Sequence, residues 1–533
     1  MNKRILLLIL LFAVLISLPW LVPHTGVLAL VAFVPLLWAE EMARRDGVRR
    51  FWIWRYAAFM LWNAATTFWV CNATVGGGIF AVLANALQMS VVFGLFHFSR
   101  KKLKGALPYI FLAAMWIAWE RAYFDAEISW PWLTLGNAFA RSTRMIQWYE
   151  WTGSLGGSLW VWTVNLGIFG LLRSRRDGRW AQLRLPARIA SMSALTLAVA
   201  APLAASWILY RNYQERSEGQ VNVVIAQPNF DPYQKFQSLT QEEQTAVLLD
   251  LYSGADIPRE EPVLLMAPET FTSDIVLNNL RYSLTWRMFQ AFLQDYPHAD
   301  LLFGASSYRI YEQRSAPSLL ARPYGDGWIE NYNSALITDH TDRSEVFHKS
   351  KLVVGTEKMP YPRIFGPLDK ALGGVMGRCQ VQDEVTLLHF GEAQVPFGCA
   401  ICYESVYGEY CTEYVKKGAR FMTVITNDAW WGDTPGYVQH LSYSALRAIE
   451  LRRDIARCAN TGISAIINQR GEILDQSTWW ERETMRGSVN LNSKQTFFVR
   501  HGDITGRVCT LVFLLLAALL AVRTVSGGFR RKR

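Results

Sequence analysis

The chain has 533 residues and a net charge of +10, with 51% hydrophobic and 18% charged side chains. Soluble globular domains carry about 25% charged residues; this deficit, with 22 Trp, 28 Phe and 21 Tyr, excludes disorder, a coiled coil and a wholly soluble protein. A mean hydropathy of only +0.09 excludes a chain immersed in lipid throughout, so a bilayer part and a large polar part coexist.

A bilayer-spanning helix needs roughly 17–25 predominantly apolar residues. In chain order the candidates are Ile5–Val22, Gly26–Ala39 after a tight turn, Phe51–Val70, Ile79–Phe98, Ala106–Trp119, Ser158–Leu172 and Ile189–Tyr210, and finally Val508–Val522. They predict an α-helical membrane bundle of eight transmembrane helices. Seven fall in residues 1–210, and the eighth, with a basic tail, in residues 508–533.

Every second loop is basic. Lys3 and Arg4 precede the first span, Arg44, Arg45, Arg49 and Arg50 follow the second, and Arg100, Lys101, Lys102 and Lys104 follow the fourth. Arg173 to Arg188 follow the sixth, and Arg523 to Arg533 follow the eighth. The positive-inside rule then puts both termini in the cytoplasm and residues 211–507 outside. The basic excess is topological, and no nucleic-acid-binding stripe is expected. The outside loop Glu120–Gly157 carries Trp130, Trp132, Trp148, Tyr149 and Trp151. Such rings suit an interfacial anchor or the wall of a lipid-binding cleft.

Between residues 211 and 507 the pattern changes. Short apolar runs appear at Val221–Ala226, Val263–Ala267, Leu301–Gly304, Ser334–Thr338, Val395–Cys402, Phe421–Thr426 and Ser464–Asn468. Helix-length stretches lie between several of them, at Gln241–Tyr252, Leu277–Asp295, Tyr407–Lys417 and Gln439–Ala456. Runs buried on both faces and alternating with helices predict a layered α/β domain. Seven Cys without regular spacing do not form a disulfide scaffold.

Polar residues crowd the ends of these runs, where α/β folds place sites. Glu269 stands in Ala267-Pro268-Glu269-Thr270, and Lys349 in Phe347-His348-Lys349-Ser350-Lys351-Leu352 with Glu357 eight residues on. Cys402 ends a run in Gly398-Cys399-Ala400-Ile401-Cys402-Tyr403-Glu404-Ser405. A Cys nucleophile needs a proton acceptor and oxyanion donors, and a carboxylate and an ammonium supply them. Each residue alone also fits a blander role: a turn glutamate, a surface lysine, a packed thiol. Cys399 and Cys402 could form a redox pair, but their odd spacing along a strand turns them to opposite faces. His440 and His348 sit in no cluster with metal-ligand spacing, so no metal is expected.

The ordered set is more specific than any member. Pro-Glu-Thr, then Lys-x-x-Leu with Glu eight residues after the Lys, then Cys402-Tyr403-Glu404, resembles the nitrilase superfamily. With the flanking spans, the chain looks like the apolipoprotein N-acyltransferase family. Thr426-Asn427-Asp428-Ala429-Trp430-Trp431-Gly432-Asp433, Gln439-His440-Leu441, Arg447-Ala448-Ile449-Glu450, Asn460-Thr461-Gly462-Ile463 and Trp130-Pro131-Trp132-Leu133 match as well. The last of these shifts the outside loop toward the lipid cleft.

The resemblance implies a nitrilase-like αββα sandwich with Glu269 as general base, Lys349 as electrostatic stabiliser and Cys402 as nucleophile. Glu357, Tyr403 and Glu404 are the expected supporting residues. It implies a phospholipid acyl donor, a thioester on Cys402 and a diacylglyceryl-lipoprotein acceptor. It also implies no cofactor, a monomer, and a place in the bacterial inner membrane with the catalytic domain in the periplasm. One stretch departs. The family usually reads Lys-x-His-Leu-Val-Pro-Phe-Gly-Glu, and here Lys351 and Val353-Val354-Gly355-Thr356 replace the His and the Pro-Phe. Two rival functions use the same residues: a membrane-tethered amidase with water as acceptor, and a lipoprotein-binding protein with an idle site.

Overall fold

The computed structural model describes residues 2–232, 239–371 and 376–531. The chain divides into two compact units, Met1–Tyr213 with His501–Arg533, and Gln214–Arg500.

The first unit is helical. Among the described residues, six of its helices are long and apolar enough to cross a membrane: Lys3–Leu21, Gly26–Arg45, Val75–Ser99, Tyr149–Arg176, Leu185–Asn212 and Ile504–Ser526. The chain is thus a multi-pass membrane protein. The other two expected spans do form helices, Phe51–Thr67 and Leu107–Phe124, but do not reach that length and hydropathy. Phe51–Thr67 has only 17 residues and spends several on polar groups, with Asn63, Thr66 and Thr67 buried. Asn85 Nδ2 donates to Asn63 Oδ1 at 2.7 Å, so this polarity ties helix to helix, as small amides do where lipid offers no partner. Asn165 does the same for another pair, donating to the Ala29 carbonyl and accepting from the Phe33 N–H, both at 2.8 Å.

The aromatic loop is shorter than the sequence suggests. The helix before it runs on to Phe124 and the helix after it begins at Tyr149, with a non-helical break at Gly153. Gly and Ser dilute the hydropathy of residues 153–158, which masked the first turns. Three 3-10 turns fold the loop back onto its own unit. Leu135 N–H donates to the buried Glu120 at 2.8 Å, and the Tyr149 hydroxyl donates to the Gly136 carbonyl at 2.9 Å. Trp132 packs on Trp69 with ring centroids 4.9 Å apart, and of Trp130, Trp132, Trp148, Tyr149 and Trp151 only Trp151 is exposed.

The second unit is a sandwich of two sheets. The first runs in the order β14 (Glu483–Asn490), β1 (Gln220–Gln227), β2 (Val263–Met266), β4 (Ala299–Tyr311), β6 (Gly327–Thr338), β5 (Arg322–Tyr324), with β3 (Thr272–Val276) against β4 and β7 (Ser344–His348) against β6. The second runs β13 (Ile473–Gln476), β12 (Ala465–Ile467), β11 (Ile455–Ala459), β10 (Met422–Thr426), β9 (Val395–Ile401), β8 (Leu388–Phe390). β1, β2 and β4 are parallel, as are β9, β10 and β11.

Strand alternation builds the layers. Val221, Val223 and Ile225 share one buried cluster with Phe397, Cys399 and Ile425 of the second sheet. Val224 and Ala226 point the other way, onto Leu248, Tyr252 and Phe289 of the helices Gln241–Ser253 and Leu284–Leu293. The first of these helices starts in a capping box, with Thr240 and Glu243 satisfying each other's backbone N–H groups. Helices Gly408–Lys416 and Pro435–Leu451 pack against strands of the second sheet. The result is the expected αββα order.

Two predicted helices are too long. Residues 277–283 form a turn after β3, so only Leu284–Leu293 is α-helical there. The other ends at Leu451, because Arg452 takes φ 49° and Ile455 enters β11. A left-handed residue terminates a helix whatever the apolar pattern beyond it.

Candidate active site

Glu269 follows β2, Lys349 follows β7, and Cys402 follows β9, so three strand ends deliver the three groups. Lys349 is buried, with Nζ 2.8 Å from Glu269 Oε1 and 2.9 Å from Glu357 Oε1. Burial alone would depress its pKa, but Glu269 and Glu357 outweigh it and hold the ammonium well above the usual lysine range. The close approach of β4 to the Glu269 turn requires a glycine: a Cβ on Gly304 would lie 2.5 Å from Glu269 Cα.

Cys402 is nearly buried and opens a 3-10 turn with φ 52°, a left-handed conformation that costs a non-glycine residue energy. Its carbonyl oxygen accepts from Ser405 Oγ at 2.7 Å and lies 3.1 Å from His440 Nε2, which holds the turn in place. Burial, then the charge of Glu269, push the thiol well above its ordinary pKa, with Lys349 pulling the other way. At neutral pH the group is a thiol, and it needs a base to become a nucleophile.

Glu404 is fully buried and joins two of the three segments. Its Oε2 accepts from Ile401 N–H at 2.8 Å; its Oε1 accepts from Ser350 N–H at 2.7 Å, Lys351 N–H at 3.2 Å and the Tyr410 hydroxyl at 2.8 Å. Burial pushes its carboxyl up to about 7, against the pull of those donors. Glu404 thus fixes the Cys402 turn relative to the segment after Lys349. Tyr403 packs edge-on against Tyr407, 5.2 Å between centroids.

The unusual segment before Glu357 folds back on itself. Gly355 has φ 91°, and the N–H groups of Glu357 and Lys358 both donate to the Val353 carbonyl. The Val353 N–H in turn donates to Glu357 Oε2 at 2.7 Å, so Glu357 meets Lys349 without the usual Pro-Phe. Lys351, where the family has His, lays Nζ over the Tyr407 and Tyr410 rings.

Sequence reasoning missed several members. Asn333 on β6 donates from Nδ2 to Glu269 Oε1 at 2.8 Å and to Glu357 Oε1 at 2.6 Å. Asn427 N–H donates to Glu269 Oε2 at 3.1 Å. Behind the nucleophile, Arg457, Asp428 and His440 form a buried chain. Arg457 Nη2 lies 2.7 Å from Asp428 Oδ2, and Asp428 Oδ1 lies 2.8 Å from His440 Nδ1. Burial works against ionisation of Asp428, but His440 and Arg457 prevail and hold it at about 2. Asn427, Asp428 and His440 lie in motifs noted in the sequence, whereas Asn333 and Arg457 had no such signal.

The ligand atoms of Cys402, Asp428 and His440 lie within 4.8 Å of one another, a cluster that sequence spacing did not reveal. It is a poor metal site. Both His440 nitrogens already face protein partners, and the Arg457 guanidinium occupies Asp428. All seven cysteines are free thiols, and Cys399 is buried between the sheets with no bridge to Cys402.

The second unit contains residues 314–497, which match the family model for Carbon-nitrogen hydrolase. Residues 12–167 match the model described as Apolipoprotein N-acyltransferase N-terminal domain. Among curated proteins, the Apolipoprotein N-acyltransferase of Chlorobaculum tepidum is 29% identical over 95% of this chain and 94% of its own length. That of Geobacter metallireducens is 26% identical over 99% of this chain and 96% of its own. Among solved structures, a nitrilase-superfamily protein of Saccharomyces cerevisiae aligns at 14% identity and a TM-score of 0.36, covering 52% of this chain and 93% of its own. An amidase of the same superfamily from Nesterenkonia AN1 aligns at 14% identity and a TM-score of 0.35, covering 56% of this chain and 99% of its own.

Proposed function

We infer the reaction of this chain from its family: it belongs to the apolipoprotein N-acyltransferases, within the nitrilase superfamily. It is a membrane enzyme of lipoprotein maturation. It moves a fatty acyl chain from a phospholipid to the α-amine of the S-diacylglyceryl-cysteine of an apolipoprotein.

Two half-reactions achieve this. Glu269 takes the proton of the Cys402 thiol, and the sulfur attacks an ester carbonyl of the phospholipid. The developing oxyanion is met by the Lys349 ammonium and the Tyr403 N–H. Collapse forms the thioester and expels the glycerol oxygen, which recovers the proton as lysophospholipid leaves. The acceptor amine then attacks the thioester, Glu269 takes its excess proton, and the thiol is restored. Glu357, Asn333 and Glu404 hold the reacting groups in place. We propose that the chain acts as a monomer in the bacterial inner membrane; the alternation of basic loops supports residues 211–507 in the periplasm and both termini in the cytoplasm.

The single observation that carries this reading is the buried polar cluster in which one ammonium meets two glutamates at 2.8 and 2.9 Å. An amidase would use the same cluster with water as acceptor, so the acceptor is what must be tested. Purified protein supplied with phospholipid should release lysophospholipid beyond one equivalent only when a diacylglyceryl lipopeptide is added. Steady release without that acceptor would make the protein a hydrolase.

A further inference from the structure

Beside the catalytic cluster lies a cavity of about 400 Å³, lined by Arg322, Asn331, Met376, Gly377, Arg378 and Cys379. No acidic residue lines it. Arg322 is exposed and has no hydrogen-bond or ion-pair partner among the described residues. Arg378 gives Nη2 to Asp369 at 2.9 Å, and its remaining guanidinium N–H groups have no partner among the described residues. The Asn331 side chain likewise has no partner. Two guanidiniums and an amide around an empty volume are the donor set that recognises a phosphate, because the planar forks match its oxygens.

The cavity is physically continuous with the catalytic groups. Cys379 N–H donates to the Glu357 carbonyl at 2.9 Å, and Gln380 N–H donates to the Asn331 carbonyl at 2.8 Å. Asn331 stands two residues before Asn333 on β6 and so on the same face, about 7 Å away along the strand. Asn333 is the residue that touches Glu269 and Glu357. In a glycerophospholipid the ester carbonyl and the phosphorus are separated by a short run of single bonds, roughly 6–8 Å when extended. A phosphate on the arginines would leave an ester within reach of the catalytic cluster. The surroundings suit a lipid more than a free ion, since Leu319, Tyr324 and Val381 stand exposed on the segments that carry the two arginines. The short Gln380–Ser318 hydrogen bond holds those segments together.

We propose that Arg322 and Arg378 bind the phosphodiester of the phospholipid donor and so position its ester for Cys402. This rests on the acyl-transfer reading above and adds to it the part of the donor that is recognised. Nothing in the proposal requires the arginines to touch the reacting atoms, so they are positioning residues.

The test uses full-length enzyme in detergent micelles, and the readout is the rate of Cys402 acylation with no acceptor present. Two donors are compared: a diacyl glycerophospholipid, and p-nitrophenyl palmitate, which has no phosphate. Loss of a hydrogen bond to a charged group predicts that Arg322→Gln raises the half-saturating phospholipid concentration about tenfold, with the maximal rate little changed. Acylation by p-nitrophenyl palmitate should be unaffected. Arg322→Lys should recover part of the loss, and Arg378→Gln should deepen it. A soluble glycerophosphodiester should compete with the phospholipid better than inorganic phosphate does. Equal loss with both donors, or no change with either, would overturn the proposal. Stronger competition by inorganic phosphate would also overturn it, assigning the cavity to a free anion. Failure of the acyl-transfer reading looks different, because the unsubstituted enzyme would then not be acylated at Cys402 by either donor.

Discussion

Lys349 and Glu269 form a buried ion pair, with Nζ 2.8 Å from Oε1 and the lysine side chain 1% exposed. The second glutamate, Glu357, accepts from the same ammonium at 2.9 Å, so one positive charge separates two carboxylates. Removing one partner of a buried pair costs far more than the pair contributes, because the survivor stays buried without compensation.

Lys349→Met should therefore lower stability by about 3–5 kcal/mol and abolish acylation, as two glutamates are left facing each other. Lys349→Arg should keep more of the stability, because the charge remains, yet lose most activity, because a planar fork cannot replace a point ammonium between two oxygens. Thermal unfolding in detergent, read beside single-turnover acylation, separates the two effects. Full activity in Lys349→Arg would refute a role that depends on the ammonium's position.

Asn333 donates one amide nitrogen to both glutamates. Asn333→Ala removes both hydrogen bonds, and at roughly 1.5–3 kcal/mol per bond to a charged group the expected loss in acylation rate is on the order of 10²–10⁴-fold. Asn333→Asp should be worse, since it adds a third carboxylate to the cluster. An Asn333→Ala variant as active as the unsubstituted enzyme would mean that the amide donates nothing that matters to Glu269.

Glu404 should behave as a positioning residue. Gln at this site keeps one acceptor oxygen but turns an N–H₂ toward N–H donors on Ile401 or on Ser350 and Lys351. Glu404→Gln should lower thermal stability by about 1–3 kcal/mol and slow acylation, while Cys402 remains open to a small alkylating reagent. Loss of that labelling together with activity would point to collapse of the Cys402 turn.

The Cys402 thiol carries a pH signature. Burial first and Glu269 second raise its pKa, so thiolate is scarce until well above the ordinary value of about 8.5. Iodoacetamide labelling of Cys402 should keep climbing past that pH with no plateau there. Glu269→Gln removes a charge that raises the pKa and leaves Lys349, which lowers it. Labelling near neutral pH should therefore speed up in this variant while acyl transfer falls roughly 10²–10⁴-fold for want of a base. Parallel changes in labelling and transfer would contradict the assignment of Glu269.

The three principal groups were legible in the sequence because each sits at a strand end and the order of their motifs is characteristic. Asn333 was not, because an asparagine inside an apolar strand gives no signal until β6 is laid beside β4 and β7. Arg457, Asp428 and His440 come from three segments, and only the fold joins them. Among strands, most runs buried on both faces were found, but β11 was partly absorbed into the predicted helix Gln439–Ala456, and β14 and β13 were missed because their exposed positions interrupt any apolar run. The helix starting at Tyr149 was hidden for a related reason: glycines and serines that pack closely inside the bundle look like loop in a hydropathy reading.

The most direct measurement is intact and peptide mass spectrometry of the enzyme after incubation with phospholipid alone. Covalent catalysis splits the transfer in two, and the second half needs the amine. A mass increase of one fatty acyl chain should appear on the peptide that contains Cys402. It should be lost to neutral hydroxylamine, discharged by a diacylglyceryl lipopeptide, absent in Cys402→Ala and retained in Cys399→Ala. An adduct on Cys399 or Cys379, or lysophospholipid released with no adduct at all, would contradict a thioester on Cys402.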